Sequence, residues 1–154
     1  MKNEEKVKAS SPVFASRLRP GRRRLLREKL IAAAAKARER AVAPYSKFKV
    51  GAALLTKGGE IIPGANVESA SYGLTCCAER VALFSALTAG KKDLIAVAVV
   101  ARAPGGPMPC GACRQLLAEY APNAKVFVAD SRAPGKIRKF TVRELLPAAF
   151  AGVP

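Results

Sequence analysis

Histidine is absent from the 154 residues. No Ser-His-Asp triad, Cys-His dyad or imidazole-ligated metal can be built from this chain. Any acid–base chemistry must therefore run through a carboxylate, a thiol or a lysine. Acidic residues are scarce, with 11 Asp plus Glu against 27 Lys plus Arg, a formal net charge of +16. Long apolar runs are missing too. The longest, Leu94 to Ala101, falls far short of the roughly 20 residues of a membrane-spanning helix. The first residues lack the apolar core of a secretory signal, and Glu4 and Glu5 argue against a transit peptide, so the expected compartment is the cytoplasm. What is abundant is apolar residue content, at 50%, which suffices for a buried core and excludes a disordered chain.

The length suits one domain. Residues 1–20 are polar or charged, punctuated by Pro12 and Pro20, and read as a basic, flexible N-terminal tail; residues 21–154 form the domain proper. The positive charge is concentrated early: residues 1–43 hold 13 basic and 4 acidic side chains, and residues 44–154 hold 14 and 7. A basic balance can serve nucleic acid, an anionic surface or plain solubility. No aromatic residues alternate with Arg22, Arg23, Arg24 and Arg27 as a base-stacking platform requires, so the solubility reading is favoured over a nucleic-acid partner.

Periodicity predicts a helix over Arg22 to Val42, stopped by Pro44. Strands follow at Phe48 to Thr56 and Glu60 to Val67, joined by the turn Lys57-Gly58-Gly59, with Pro63-Gly64 marking a bulge or a sheet edge. A helix is expected over Thr75 to Ala89, a doubly buried strand over Leu94 to Ala101, and a helix over Gly111 to Tyr120. A short strand at Lys125 to Ala129 and a short helix at Thr141 to Leu146, with Thr141 and Glu144 as a capping box, complete the chain. The alternation points to an α/β domain with helices on both faces of a mixed sheet.

Four cysteines lie in two short segments, Thr75-Cys76-Cys77-Ala78-Glu79-Arg80 and Pro109-Cys110-Gly111-Ala112-Cys113-Arg114. In a cytoplasmic chain they read first as metal ligands or catalytic groups. A structural zinc ribbon would need a second C-x-x-C pair, and a thioredoxin-like pair would leave the C-x-E segment unexplained. A catalytic zinc wants three protein ligands and an open position for water. Cys110 and Cys113 supply two, and Cys76 or Cys77 the third. Both segments open helices, where a thiolate is favoured. Glu79, two residues past Cys77, is placed to take a proton from a water and pass it on.

The C-x-E and P-C-x-x-C combination resembles the zinc nucleobase deaminases. More narrowly, the chain is similar to the short-chain, homotetrameric cytidine deaminases. The matching stretches are residues 44–54, Asn66-Val67-Glu68, Cys77-Ala78-Glu79-Arg80, residues 109–115, and Leu145-Leu146-Pro147 with Phe150 behind. The resemblance implies a three-layer α/β/α sandwich around a mixed sheet of about five strands. It implies one Zn²⁺ per subunit on Cys77, Cys110 and Cys113, with Glu79 shuttling protons. Asn66 and Glu68 would hold the ribose 3′-hydroxyl, Phe48 would pack on the pyrimidine, and the Ala78 N–H would fix the ring carbonyl. Tyr72 and Phe150 would reach the site of a neighbouring subunit in a homotetramer. The implied reaction is hydrolysis of cytidine and deoxycytidine to uridine and deoxyuridine, in pyrimidine salvage.

Three thiolates and Zn²⁺ sum to −1. Arg80, beside Glu79, is placed to donate to a thiolate and withdraw part of that charge. The C-x-E offset belongs to Cys77, so Cys76 is read as a packing residue or free thiol, and Arg114 as structural. Three alternatives compete: a deaminase for a modified nucleoside such as blasticidin S, a polynucleotide deaminase, and a non-catalytic zinc module binding nucleic acid through residues 17–40. Asn66-x-Glu68 speaks against the first. A pocket that grips a 3′-hydroxyl speaks against the second. The third predicts that Glu79 is dispensable.

Overall fold

In the computed structural model, which describes residues 19–150, Pro20 opens the first helix, α1 (Pro20–Glu39). Proline suits a first helical position because its missing N–H would have no partner there. The helix stops short of the expected Val42. Its end tightens, with Arg40 N–H on the Ala37 carbonyl and Ala41 N–H on the Arg38 carbonyl. Val42 N–H is taken instead by the Asn66 carbonyl at 2.9 Å, so a non-local pairing ends the helix before Pro44 does. The N-terminal tail expected over residues 1–20 lies outside the described residues up to position 18.

Four strands fall where alternation and apolar runs placed them: β1 (Val50–Thr56), β2 (Ile61–Ala65), β3 (Leu94–Ala101) and β4 (Lys125–Asp130). A fifth, β5 (Ile137–Thr141), was not among the expected segments. The sheet order is β2-β1-β3-β4-β5, with β3 and β4 parallel and every other pair antiparallel. Pro63 therefore sits on an edge strand, where its lack of an N–H is tolerated.

Helices α2 (Ala78–Thr88), α3 (Gly111–Tyr120) and α4 (Val142–Leu145) cover one face. They bury Ala82, Leu83, Leu117 and Val142 against Leu54, Val97, Val99 and Val126. Among the described residues helix α1 alone covers the other face, setting Leu30, Ile31 and Ala34 on Ala53, Leu55, Ala98 and Val100. Odd and even positions of β1 and β3 thus go to different layers, as the pleat requires, and the α/β/α sandwich is complete. The capping box at Thr141 and Glu144 is present.

Two glycines set how closely helices approach. A Cβ on Gly51 would collide with the Ala34 carbonyl, so glycine lets α1 lie on β1. A Cβ on Gly64 would collide with Ala82 N and the Ala78 carbonyl, so glycine lets the first turn of α2 rest on β2. That first turn carries the site.

Candidate active site

Cys77 is the N-cap of α2 and Cys110 the N-cap of α3, both with extended backbone, and Cys113 lies in the first turn of α3. Neither side chain caps the first backbone N–H groups of its helix, so both sulfurs are turned to other partners. The Sγ atoms of Cys77, Cys110 and Cys113 lie within 4.8 Å of one another, and Cys77 and Cys110 are 3.8 Å apart. Helix N-termini stabilise anions, so two helices favour thiolate at one point. All four cysteines are free thiols.

Helix α2 was expected from Thr75 and begins three residues later. The segment before it is held by other pairings. Tyr72–Leu74 forms a 3₁₀ turn, Ser69 N–H donates to the Thr75 hydroxyl at 3.0 Å, and Cys76 exchanges two backbone bonds with Val67. Cys76 thus serves through its main chain and its side chain stays outside the sulfur cluster. The Cys76–Val67 pairing also fixes Asn66 and Glu68, on either side of Val67, relative to Cys77.

Glu79 is buried, at 5% exposure. Loss of solvation pushes its carboxyl up to about 7, its own backbone N–H opposes that, and the Cys77 charge adds to it. The Cys113 thiol lies close enough to this carboxylate to oppose the rise. Cys77 is drawn down to about 5, chiefly because Cys113 donates to it, with Cys110 and Arg80 also donating. Cys113 is pushed up, first as the donor in that pair and then by burial. Arg80 Nη2 donates to the Thr75 carbonyl at 2.6 Å and reaches Cys77 Sγ at 3.9 Å.

The donor set fits zinc. A tetrahedral ion with Zn–S bonds of about 2.3 Å separates its sulfurs by about 3.8 Å, and the Cys77–Cys110 distance is 3.8 Å. Three thiolates leave one position open, the arrangement of a catalytic zinc rather than a closed structural one. Among the described residues no other cysteine or carboxylate group clusters in this way.

A second group surrounds the loop at residues 44–49. Asn66 is buried; its Nδ2 donates to the Phe48 carbonyl at 3.0 Å and its Oδ1 accepts from Val50 N–H at 2.8 Å. The Glu68 carboxylate accepts from Tyr45 N–H, Ser46 N–H and the Ser46 hydroxyl. These bonds, the hydroxyl's first, hold its carboxyl below the usual range. Lys47 adopts a left-handed backbone at φ 59°, turning the chain between Ser46 and Phe48. Tyr45, Ser46, Glu68, Ser69, Tyr72 and Thr75 line a cleft of about 410 Å³. A larger cleft of about 770 Å³, between α1 and the β4–β5 loop, contains none of these residues.

Ala78 is the first residue of α2, so its N–H has no intrahelical acceptor. Tyr72, on the rim of the smaller cleft, and Phe150 are 83% and 65% exposed within the protomer. Ser46 and Thr75, which hold the carboxylate and the ligand segment, went unassigned in the sequence reading; both lie in or beside matched motifs, the one signal that pointed to them.

Residues 26–129 match the family model for the cytidine and deoxycytidylate deaminase zinc-binding region. The chain is 54% identical to the cytidine deaminase of Halalkalibacterium halodurans over 80% of its own length and 93% of the relative's. It is 50% identical to that of Sporosarcina psychrophila, over 80% and 90%. The crystal structure of cytidine deaminase from Burkholderia pseudomallei superposes with a TM-score of 0.76 at 51% identity, covering 79% of this chain and 97% of that one. The cysteine cluster, the buried Glu79 in the first turn of α2 and these likenesses agree, and the chain belongs to the cytidine and deoxycytidylate deaminase family.

Proposed function

We propose that this protein hydrolyses cytidine and deoxycytidine to uridine and deoxyuridine, releasing ammonia. The observation that carries the reading is a buried carboxylate, Glu79, beside three converging thiols at two helix N-termini. Cys77, Cys110 and Cys113 hold one zinc per subunit. Bound there, zinc supplies a Lewis acid that makes water nucleophilic at neutral pH.

Glu79 does the proton work. It takes a proton from water and gives it to ring N3, which makes C4 electrophilic, and the hydroxide left behind adds to C4. It then moves a second proton, from the new C4 hydroxyl to the exocyclic amine, which leaves as ammonia. Arg80 draws charge from Cys77, keeping the three thiolates from quenching the Lewis acid. The Ala78 N–H orients the ring carbonyl and Phe48 packs on the ring. Asn66 and Glu68 take the ribose 3′-hydroxyl; each has hydrogen-bonding capacity beyond its contacts to the loop at residues 44–49.

Exposed Tyr72 and Phe150 suit contribution to neighbouring sites in a homotetramer. A grip on the 3′-hydroxyl favours free nucleosides over a continuing nucleic-acid strand. The charge of α1 then keeps the assembly in solution. The setting is cytoplasmic pyrimidine salvage; among the described residues no helix is long and apolar enough to cross a membrane.

The test is an ultraviolet scan of cytidine with the zinc-loaded protein and with Glu79→Gln. Loss of the cytidine band with the unaltered chain alone is expected. A zinc-loaded protein that leaves cytidine untouched overturns the reading.

A further inference from the structure

Arg114 immediately follows the ligand Cys113, and its side chain turns back toward the start of α3, as helical side chains do. Its Nε donates to the Pro109 carbonyl at 2.7 Å and its Nη1 to the Leu145 carbonyl at 3.0 Å. Neither acceptor has a place in a helix ladder. Pro109 is fully buried and precedes the N-cap Cys110, so its carbonyl lies outside α3. Leu145 is the last residue of α4, where carbonyls lack intrahelical donors. Buried carbonyls need a partner, and one guanidinium serves both.

The next residue makes a parallel connection. Gln115 Nε2 donates to the Phe150 carbonyl at 2.9 Å. Two consecutive residues of the ligand helix therefore hold the C-terminal segment at two points five residues apart. Between those points Ala148 has φ 53°, a left-handed conformation that a side-chain-bearing residue keeps only when its surroundings impose it.

We propose that Arg114 is a positioning residue that makes the metal-ligand loop and the C-terminal segment one unit, so that Cys110 is presented correctly only while that segment is in place. The inference rests on the zinc reading above. The fork geometry of arginine matters, because two nitrogens of one rigid plane reach carbonyls from different elements; lysine keeps the charge without that plane.

The experiment measures zinc release from the loaded protein into excess chelator, together with amide hydrogen exchange at Leu146, Ala148 and Phe150. The unaltered chain, Arg114→Gln, Arg114→Lys and a distant control, Arg132→Gln, are compared. Arg114→Gln is expected to release zinc about tenfold faster, in line with losses of second-layer partners, and to exchange those three amides faster, with β3 amides unchanged. Arg114→Lys falls between, and Arg132→Gln matches the unaltered chain. Release within threefold of the unaltered chain in the Arg114 variants, unaltered C-terminal exchange, or an equal effect in Arg132→Gln overturns the proposal. If Arg114→Gln does not fold, Arg114→Lys is read by the same limits. Cytidine turnover by the unaltered chain separately tests the functional reading, and neither zinc release nor exchange depends on its outcome.

Discussion

The side-chain amide of Asn66 holds the main chain of Phe48, donating to its carbonyl at 3.0 Å while accepting from Val50 N–H at 2.8 Å. Removing this amide leaves two main-chain groups without partners. Asn66→Ala should cost about 2 kcal/mol or more in urea unfolding. It should also raise KM for cytidine more than it lowers kcat, because Phe48 loses its anchor. Asn66→Asp should do no better, since a carboxylate accepts from Val50 but faces the Phe48 carbonyl with no proton to give.

Burying the Glu79 carboxylate carries a stability cost. Its folded pKa of about 7 stands above the ordinary carboxylate value of about 4.3. For a group raised on folding, the associated stability is full below the unfolded value and is lost as pH climbs through the folded one. The Glu79 contribution of the metal-free chain should therefore be lost between about pH 4.3 and 7, and because the low Cys77 thiol acts in the opposite direction over the same range, it is read as the difference between the unaltered chain and Glu79→Gln. Metal-free Glu79→Gln, which has no charge to desolvate, should gain on the unaltered chain by about 3–4 kcal/mol between pH 4 and pH 8. Denaturation midpoints of both chains at pH 4 and pH 8 check this; equal pH slopes would falsify it.

Gly51 and Gly64 both admit a helix to the sheet, but only Gly64 admits the helix that starts at Cys77. Alanine at either position should destabilise by about 1–3 kcal/mol or more through overpacking against backbone. Gly64→Ala should in addition weaken zinc binding, measured by competition with a chromophoric chelator. Gly51→Ala should leave zinc affinity alone in whatever fraction remains folded.

If Glu68 and Asn66 read the ribose at its 3′ position, the two hydroxyls differ in weight. 2′-Deoxycytidine should be turned over comparably to cytidine. 3′-Deoxycytidine should lose about 10–100-fold in kcat/KM, the worth of a hydrogen bond to a charged group. Glu68→Gln should shrink that discrimination. Equal turnover of the two deoxynucleosides would remove the proposed ribose contact.

The cysteine cluster, with Glu79 beside it, was legible in the sequence because the spacing within each motif is local and each motif opens a helix. Helix α3 was legible to the residue, bounded by Gly111 and Tyr120, with Pro122 just beyond. Strand β5 was not, because Arg138 and Lys139 give an edge strand the look of a charged loop. The start of α2 was misplaced because Cys76 pairs with Val67, a partner that no local window contains. The double contact of Arg114 was hidden for another reason: both its acceptors are main-chain carbonyls, which carry no sequence signature.

Cys77 and Cys110 are 33 positions apart in the chain and 3.8 Å apart at their sulfurs. A bond from each to one ion closes a long loop, and closing such a loop in the unfolded chain costs entropy in the way a disulfide does. Metal binding and folding then draw on the same free energy. A copy of this protein that loses its zinc forfeits its chemistry and a cross-link together, so metal supply governs how long the molecule lasts as well as what it can do.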